Sequence, residues 1–165
     1  MAFAAPSLKG RALRLLAQRE YSRAELERKL GPYAQEPGAL AHALDELSAL
    51  GFISEARVVQ SVLHQKAARL GTARIRQTLE AKGIGDAAIK QALSSLQDTE
   101  LERARELWQR RFGVFPKEAR ERARQIRFLL ARGFSATVAT RVLRGANDDA
   151  QPTTRCDQTD DFAGF

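Results

Sequence analysis

A chain of 165 residues, 44% apolar and 28% charged, holds enough material for one large or several small packed units, and its composition excludes global disorder. The lone cysteine, Cys156, rules out an internal disulfide, no Cys/His cluster has metal-ligand spacing, and neither a leader pattern nor a run of about eighteen apolar residues is present. The expectation is a cytosolic chain without membrane span, metal or cofactor. The formal charge of +7 hides an asymmetry: residues 146–165 hold five acids and one base, so residues 1–145 carry 26 bases against 15 acids. Such a body points to a polyanionic partner, nucleic acid first.

Helical periodicity dominates, so the expected class is all-α. The first helix is read over Lys9–Arg19, with Leu13, Leu16 and Ala17 as its apolar stripe. Ser22 and Glu25 form the S-x-x-E pattern of a capping box, opening a helix that stops at Gly31-Pro32. A third helix starts near Pro37, places Leu40, Ala43, Leu44 and Leu47 on one side, and closes at Gly51, with Phe52 packing back.

The pattern then recurs. Ser54 caps a helix bearing Val58, Val59, Val62 and Leu63; Thr72 caps one bearing Ile75 and Leu79; Asp86 caps one bearing Ile89, Ala92, Leu93 and Leu96. A third cycle begins near Asp98 with Leu101, Ala104, Leu107 and Trp108. It restarts at about Lys117 with Ala119, Ala123, Ile126 and Leu130, stops at Gly133-Phe134, and ends in Ser135–Leu143. Gly31 precedes Gly83 by 52 residues and Gly83 precedes Gly133 by 50, the period of a helical repeat. The expected organisation is three tandem three-helix modules, 1–53, 54–97 and 98–145, in an elongated, curved array, followed by an acidic, disordered tail, 146–165.

Catalysis finds little support. His42 and His64 have no metal-type partner or adjacent nucleophile, Gly83-Ile-Gly85 lacks the residues of a phosphate cradle, and the adjacent acids Asp45 and Glu46 diverge on a helix. Trp108 with Arg110, Arg111 and Phe112 has the residues to stack a base, but its spacing with Leu101, Ala104 and Leu107 favours a core position; Phe52, Phe128 and Phe134 are read as packing residues too. The bases are better organised. Arg120, Arg124 and Arg127 follow i, i+4, i+7 on one helical stripe, where guanidinium groups grip planar anions with paired hydrogen bonds. Lys66, Arg69, Arg74, Arg76 and Lys82 bracket the turn at Leu70-Gly71-Thr72. Arg74 and Arg76 are placed in the first turn of a helix, where positive charge is mildly unfavourable and free N–H groups attract anions. By segment, residues 1–53 carry seven bases and six acids, against seven and three in 54–97 and twelve and six in 98–145, so the first module reads as nearly neutral.

Three runs, LDELSALGFISEAR at 44–57, RLGTARIRQTLEAKGI at 69–84 and RFLLARGFS at 127–135, resemble in order and spacing the RecX family of bacterial regulators. The resemblance extends over about 10–145. It departs at Ser54–Val58, where the family often carries an acid and an aromatic, and the Asp-rich tail is outside its pattern. What the resemblance implies is a cytosolic, non-enzymatic, monomeric protein of three three-helix modules. It would bind the RecA recombinase filament on single-stranded DNA, with double-stranded DNA a further candidate, and restrain its ATPase, strand-exchange and coprotease activities. The eight bases named above become candidate RecA- or DNA-binding residues. A nucleic-acid-binding protein with no recombinase partner is the alternative.

Overall fold

The computed structural model describes residues 6–148, and among these all regular structure is helical. Nine α-helices follow in order: α1 (Leu8–Leu16), α2 (Arg23–Leu30), α3 (Ala39–Ala49), α4 (Glu55–Lys66), α5 (Thr72–Ala81), α6 (Asp86–Gln97), α7 (Glu100–Arg111), α8 (Ala119–Ala131) and α9 (Ala136–Asp148), with a 3-10 turn at Gly31–Tyr33. Because α9 runs to Asp148, the acidic stretch expected from Ala146 begins inside a helix. Its remainder lies outside the described residues.

Serine side chains set four of the helix starts. Ser7, Ser22, Ser54 and Ser135 each accept the backbone N–H three residues on. At Ser22 the box is closed, because Glu25 Oε2 accepts the Ser22 N–H at 3.0 Å. Thr72 and Asp86 are first helical residues rather than caps, since Gly71 and Gly85 take the cap positions. Leu-x-x-x-Gly-apolar runs set three of the stops: Phe52, Ile84 and Phe134 N–H groups donate to the carbonyls of Leu47, Leu79 and Leu129.

Each helix triplet closes around its own core. Leu26, Leu44 and Leu47 are fully buried among α1–α3, Val58, Ile75, Leu79 and Ile89 among α4–α6, and Leu129 with Trp108 among α7–α9. Burying one such side chain stabilises by about 1.5–3 kcal/mol. Trp108 is core: its Nε1–H donates to Gln125 Oε1 at 2.7 Å, and Phe115 stacks on it with centroids 4.4 Å apart. Phe134 is buried and Phe128 packs on the same cluster, whereas Phe52 is 47% exposed because Ile53 takes the place against the first core.

The triplets dock by one repeated device. The turn after α5 sits on the N-terminus of α2: Ser22 Oγ donates to the Lys82 carbonyl, Arg28 reaches the Ala81 carbonyl at 3.4 Å, and a Cβ on Gly83 (φ +70°) would lie 2.7 Å from Ala24 Cβ. The turn after α8 sits likewise on the N-terminus of α5. Gly71 N–H donates to the Arg132 carbonyl at 2.9 Å, Ala73 N–H to the Gly133 carbonyl at 3.2 Å, and Arg74 Nε–H to the Ala131 carbonyl at 3.3 Å. Lys82 and Arg132, Ala81 and Ala131, Gly83 and Gly133 play equivalent parts 50 residues apart.

Candidate functional site

The N-terminus of α8 is the third member of this series, and no side chain caps it among the described residues. Gln125 and Leu129 are the buried residues of α8, with Arg122 and Ile126 half-buried beside them. The expected apolar stripe is therefore rotated: Ala119, Ala123 and Leu130 are exposed, Leu130 by 41%. The reason is the indole of Trp108, which needs a buried acceptor and takes Gln125, while the amide of Gln125 donates in turn to the Val114 carbonyl at 3.3 Å. The rotation puts Arg120, Arg124 and Arg127, all exposed, squarely opposite the core within an arc of about 60°. No ion pair involves them among the described residues.

The bases around α5 are less alike. Arg69 is exposed and Lys66 half-buried at the end of α4. Arg76 stands in the second turn of α5, not the first, 3.9 Å from Glu80. Arg74 is spent on the docking of α8, and Gly133 (φ +86°) lies so close that a Cβ there would come within 2.6 Å of the Arg74 nitrogen. Lys82 is 2.8 Å from Glu25, with side chains 18% and 11% exposed. The free N–H groups expected at the start of α5 are also taken. Glu100 Oε1 accepts both the Thr72 N–H at 3.0 Å and its hydroxyl at 2.8 Å, placing a carboxylate where an anion belongs.

Three groups escaped the sequence reading. Arg103 donates to the carbonyls of Ala67, Leu70 and Leu96 at 2.7, 2.9 and 3.1 Å, tying the ends of α4 and α6 to α7; burial lowers its guanidinium pKa, opposed by nearby Glu100. Glu25 is held at about 2: burial opposes its charge, but Lys82, the Ser22 N–H and Arg19 together outweigh it. Arg57 bridges Glu20 at 2.9 Å to the carbonyls of Gly51 and Phe52. Only the capping box at Ser22–Glu25 marked any of these in advance. No group of three or more His, Cys, Asp or Glu among the described residues has metal-site geometry, and no described helix is long and apolar enough to cross a membrane.

Tandem three-helix units, the second and third each seating a glycine turn on the unit before it, define an all-α helical-repeat protein with an exposed arginine face on α8. Family models agree: the RecX second three-helix domain matches residues 54–93 and the third matches 98–143. Regulatory protein RecX of Leptothrix cholodnii is 58% identical over 143 residues, covering 87% of this chain and 91% of that one. Its counterpart from Ralstonia nicotianae is 45% identical over 141 residues, covering 86% and 89%. The crystal structure of RecX from Lactobacillus salivarius superposes with a TM-score of 0.72 over 85% of this chain and 94% of that chain, at 20% identity, a likeness of fold. The chain belongs to the RecX family.

Proposed function

We propose that this chain restrains the RecA recombinase, binding the RecA filament on single-stranded DNA and slowing its ATP hydrolysis, strand exchange and coprotease action, as a cytosolic monomer without cofactor or catalysis of its own. The observation that carries the reading is the face of α8: Arg120, Arg124 and Arg127 stand exposed and unpaired among the described residues, on a helix whose N-terminus no described side chain caps. Lys66, Arg69 and Arg76 are further candidate contacts, whereas Arg74 and Lys82 hold the array together. Guanidinium groups at this spacing suit phosphates along a strand or carboxylates on a filament surface.

Adding the protein to RecA on single-stranded DNA tests this. ATP hydrolysis falls at stoichiometric protein, and the triple change Arg120→Glu, Arg124→Glu, Arg127→Glu relieves it; hydrolysis unchanged by the wild-type protein overturns the reading. The basic body also favours plain nucleic-acid binding, which predicts steep salt dependence from counterion release and indifference to RecA.

A further inference from the structure

The near-neutral charge of the first triplet conceals a local excess. Five of its six acids are tied up: Glu20 pairs with Arg57, Glu25 with Lys82 and Arg19, Glu27 and Asp45 with Arg23, and Glu46 with Lys9. Those pairs leave Arg11, Arg14, Arg28 and Lys29 without an acidic partner among the described residues. Three of the four meet at one place. Arg11, Arg14 and Lys29 line a concavity of about 300 Å³ with Leu15, Leu30 and Tyr33, and no acid contributes to it. Glu36, the sixth acid, lines an adjoining hollow of about 430 Å³ that shares Arg11 and Tyr33 with it.

Tyr33, on the 3-10 turn, is 53% exposed, a large aromatic surface for a residue the core does not use. One ring face is covered by the Arg11 guanidinium, 4.2 Å from the centroid, and Arg11 is itself fixed by its Nε–H donating to the Pro6 carbonyl at 3.1 Å. The ring is thus braced on one face by a fixed cation, and about half of the side chain stays open to solvent. Tyr21, by contrast, is buried under Arg19 at 3.6 Å. A half-exposed aromatic that shares a hollow with cations lacking acidic partners is what a splayed base with its flanking phosphates requires, since every base offers a π-face and the backbone supplies the charge.

We propose that the first triplet carries a single-stranded nucleic-acid subsite, in which a base stacks on the free face of Tyr33 while Arg14 and Lys29 hold the adjoining phosphates. It deepens the reading of a nucleic-acid partner but needs neither α8 nor a recombinase. The test is anisotropy of the full chain with labelled oligothymidine and no recombinase. Tyr33→Leu weakens binding about tenfold, and Tyr33→Phe binds within about twofold of wild type. The double change Arg14→Gln, Lys29→Gln lowers the slope of log affinity against log salt by about 1.4. An oligonucleotide bearing 5-iodouracil crosslinks to Tyr33 in the wild-type chain. Tyr33→Leu binding like wild type, Tyr33→Phe losing as much as Tyr33→Leu, or crosslinks only elsewhere overturns the proposal. A wild-type chain that ignores oligothymidine yet slows the recombinase overturns it too, and leaves the α8 reading standing.

Discussion

Replacing Gly71 by alanine probes the repeated docking device at the point where it has no room. The φ of Gly71, −77°, suits any residue, so the substitution carries no backbone penalty of its own. A Cβ there, however, would overlap the Gly133 carbonyl carbon and oxygen and the Phe134 nitrogen, all of them backbone atoms without a rotamer to retreat into. The turn after α8 must then lift from α5, straining the Gly71–Arg132, Ala73–Gly133 and Arg74–Ala131 hydrogen bonds. At about 1 kcal/mol net for each bond, less about 0.4–1 kcal/mol regained from the stiffer unfolded chain, the loss is about 2–3 kcal/mol. Urea denaturation measures the total, and amide exchange locates it: the Gly71 and Ala73 amides lose protection while those of α2 keep theirs. Stability within about 0.5 kcal/mol of wild type, with both amides still protected, would refute close backbone docking as the joint between the second and third triplets.

Three further outcomes follow from buried polar groups. Because Glu25 titrates at about 2 in the fold, below its ordinary 4.5, its contribution is complete above pH 4.5 and disappears as pH falls toward 2. Acid titration of stability should therefore show a wild-type loss of about 2 kcal/mol that Glu25→Gln lacks. Arg103→Ala removes a charged donor from three carbonyls and is expected to cost about 2–4 kcal/mol by denaturant melts, while Arg105→Ala, on an exposed position, stays within about 0.5 kcal/mol. Gln125→Leu strands the Trp108 indole N–H in the third core; a loss of about 1–3 kcal/mol with altered Trp108 fluorescence is expected, and a stability unchanged from wild type would contradict the hydrogen bond.

The parts legible in the sequence are those written by neighbours along the chain. Serine caps, the Ser22–Glu25 box and the Leu-x-x-x-Gly stops act over three to five residues, and each lies where the spacing puts it, with helix starts displaced by one or two residues. Between triplets the partners stand far apart in sequence. Lys82 and Arg74 look like free bases until Glu25, 57 residues away, and Ala131, also 57 away, are brought against them. The same holds for Glu100 at the start of α5: a positive first turn appears to break a local rule until the carboxylate 28 residues on is seen to satisfy it. The rotation of α8 hid behind residue type, since Gln125 is polar and Ala119, Ala123 and Leu130 are not. The indole it serves, rather than hydrophobicity, sets that register. Tyr33 was illegible for a related reason: net charge summed over the first triplet cancels acids already paired against bases left free.

Restraint of a RecA filament by the open arginine face of α8 is tested most directly by steady-state ATP hydrolysis by RecA on single-stranded DNA. Wild-type chain at stoichiometric ratio should suppress hydrolysis, and the Arg120→Glu, Arg124→Glu, Arg127→Glu chain, with unchanged helix content and melting, should not. Equal suppression by both chains at physiological salt would show that this face is solvated surface and that the restraint acts from elsewhere.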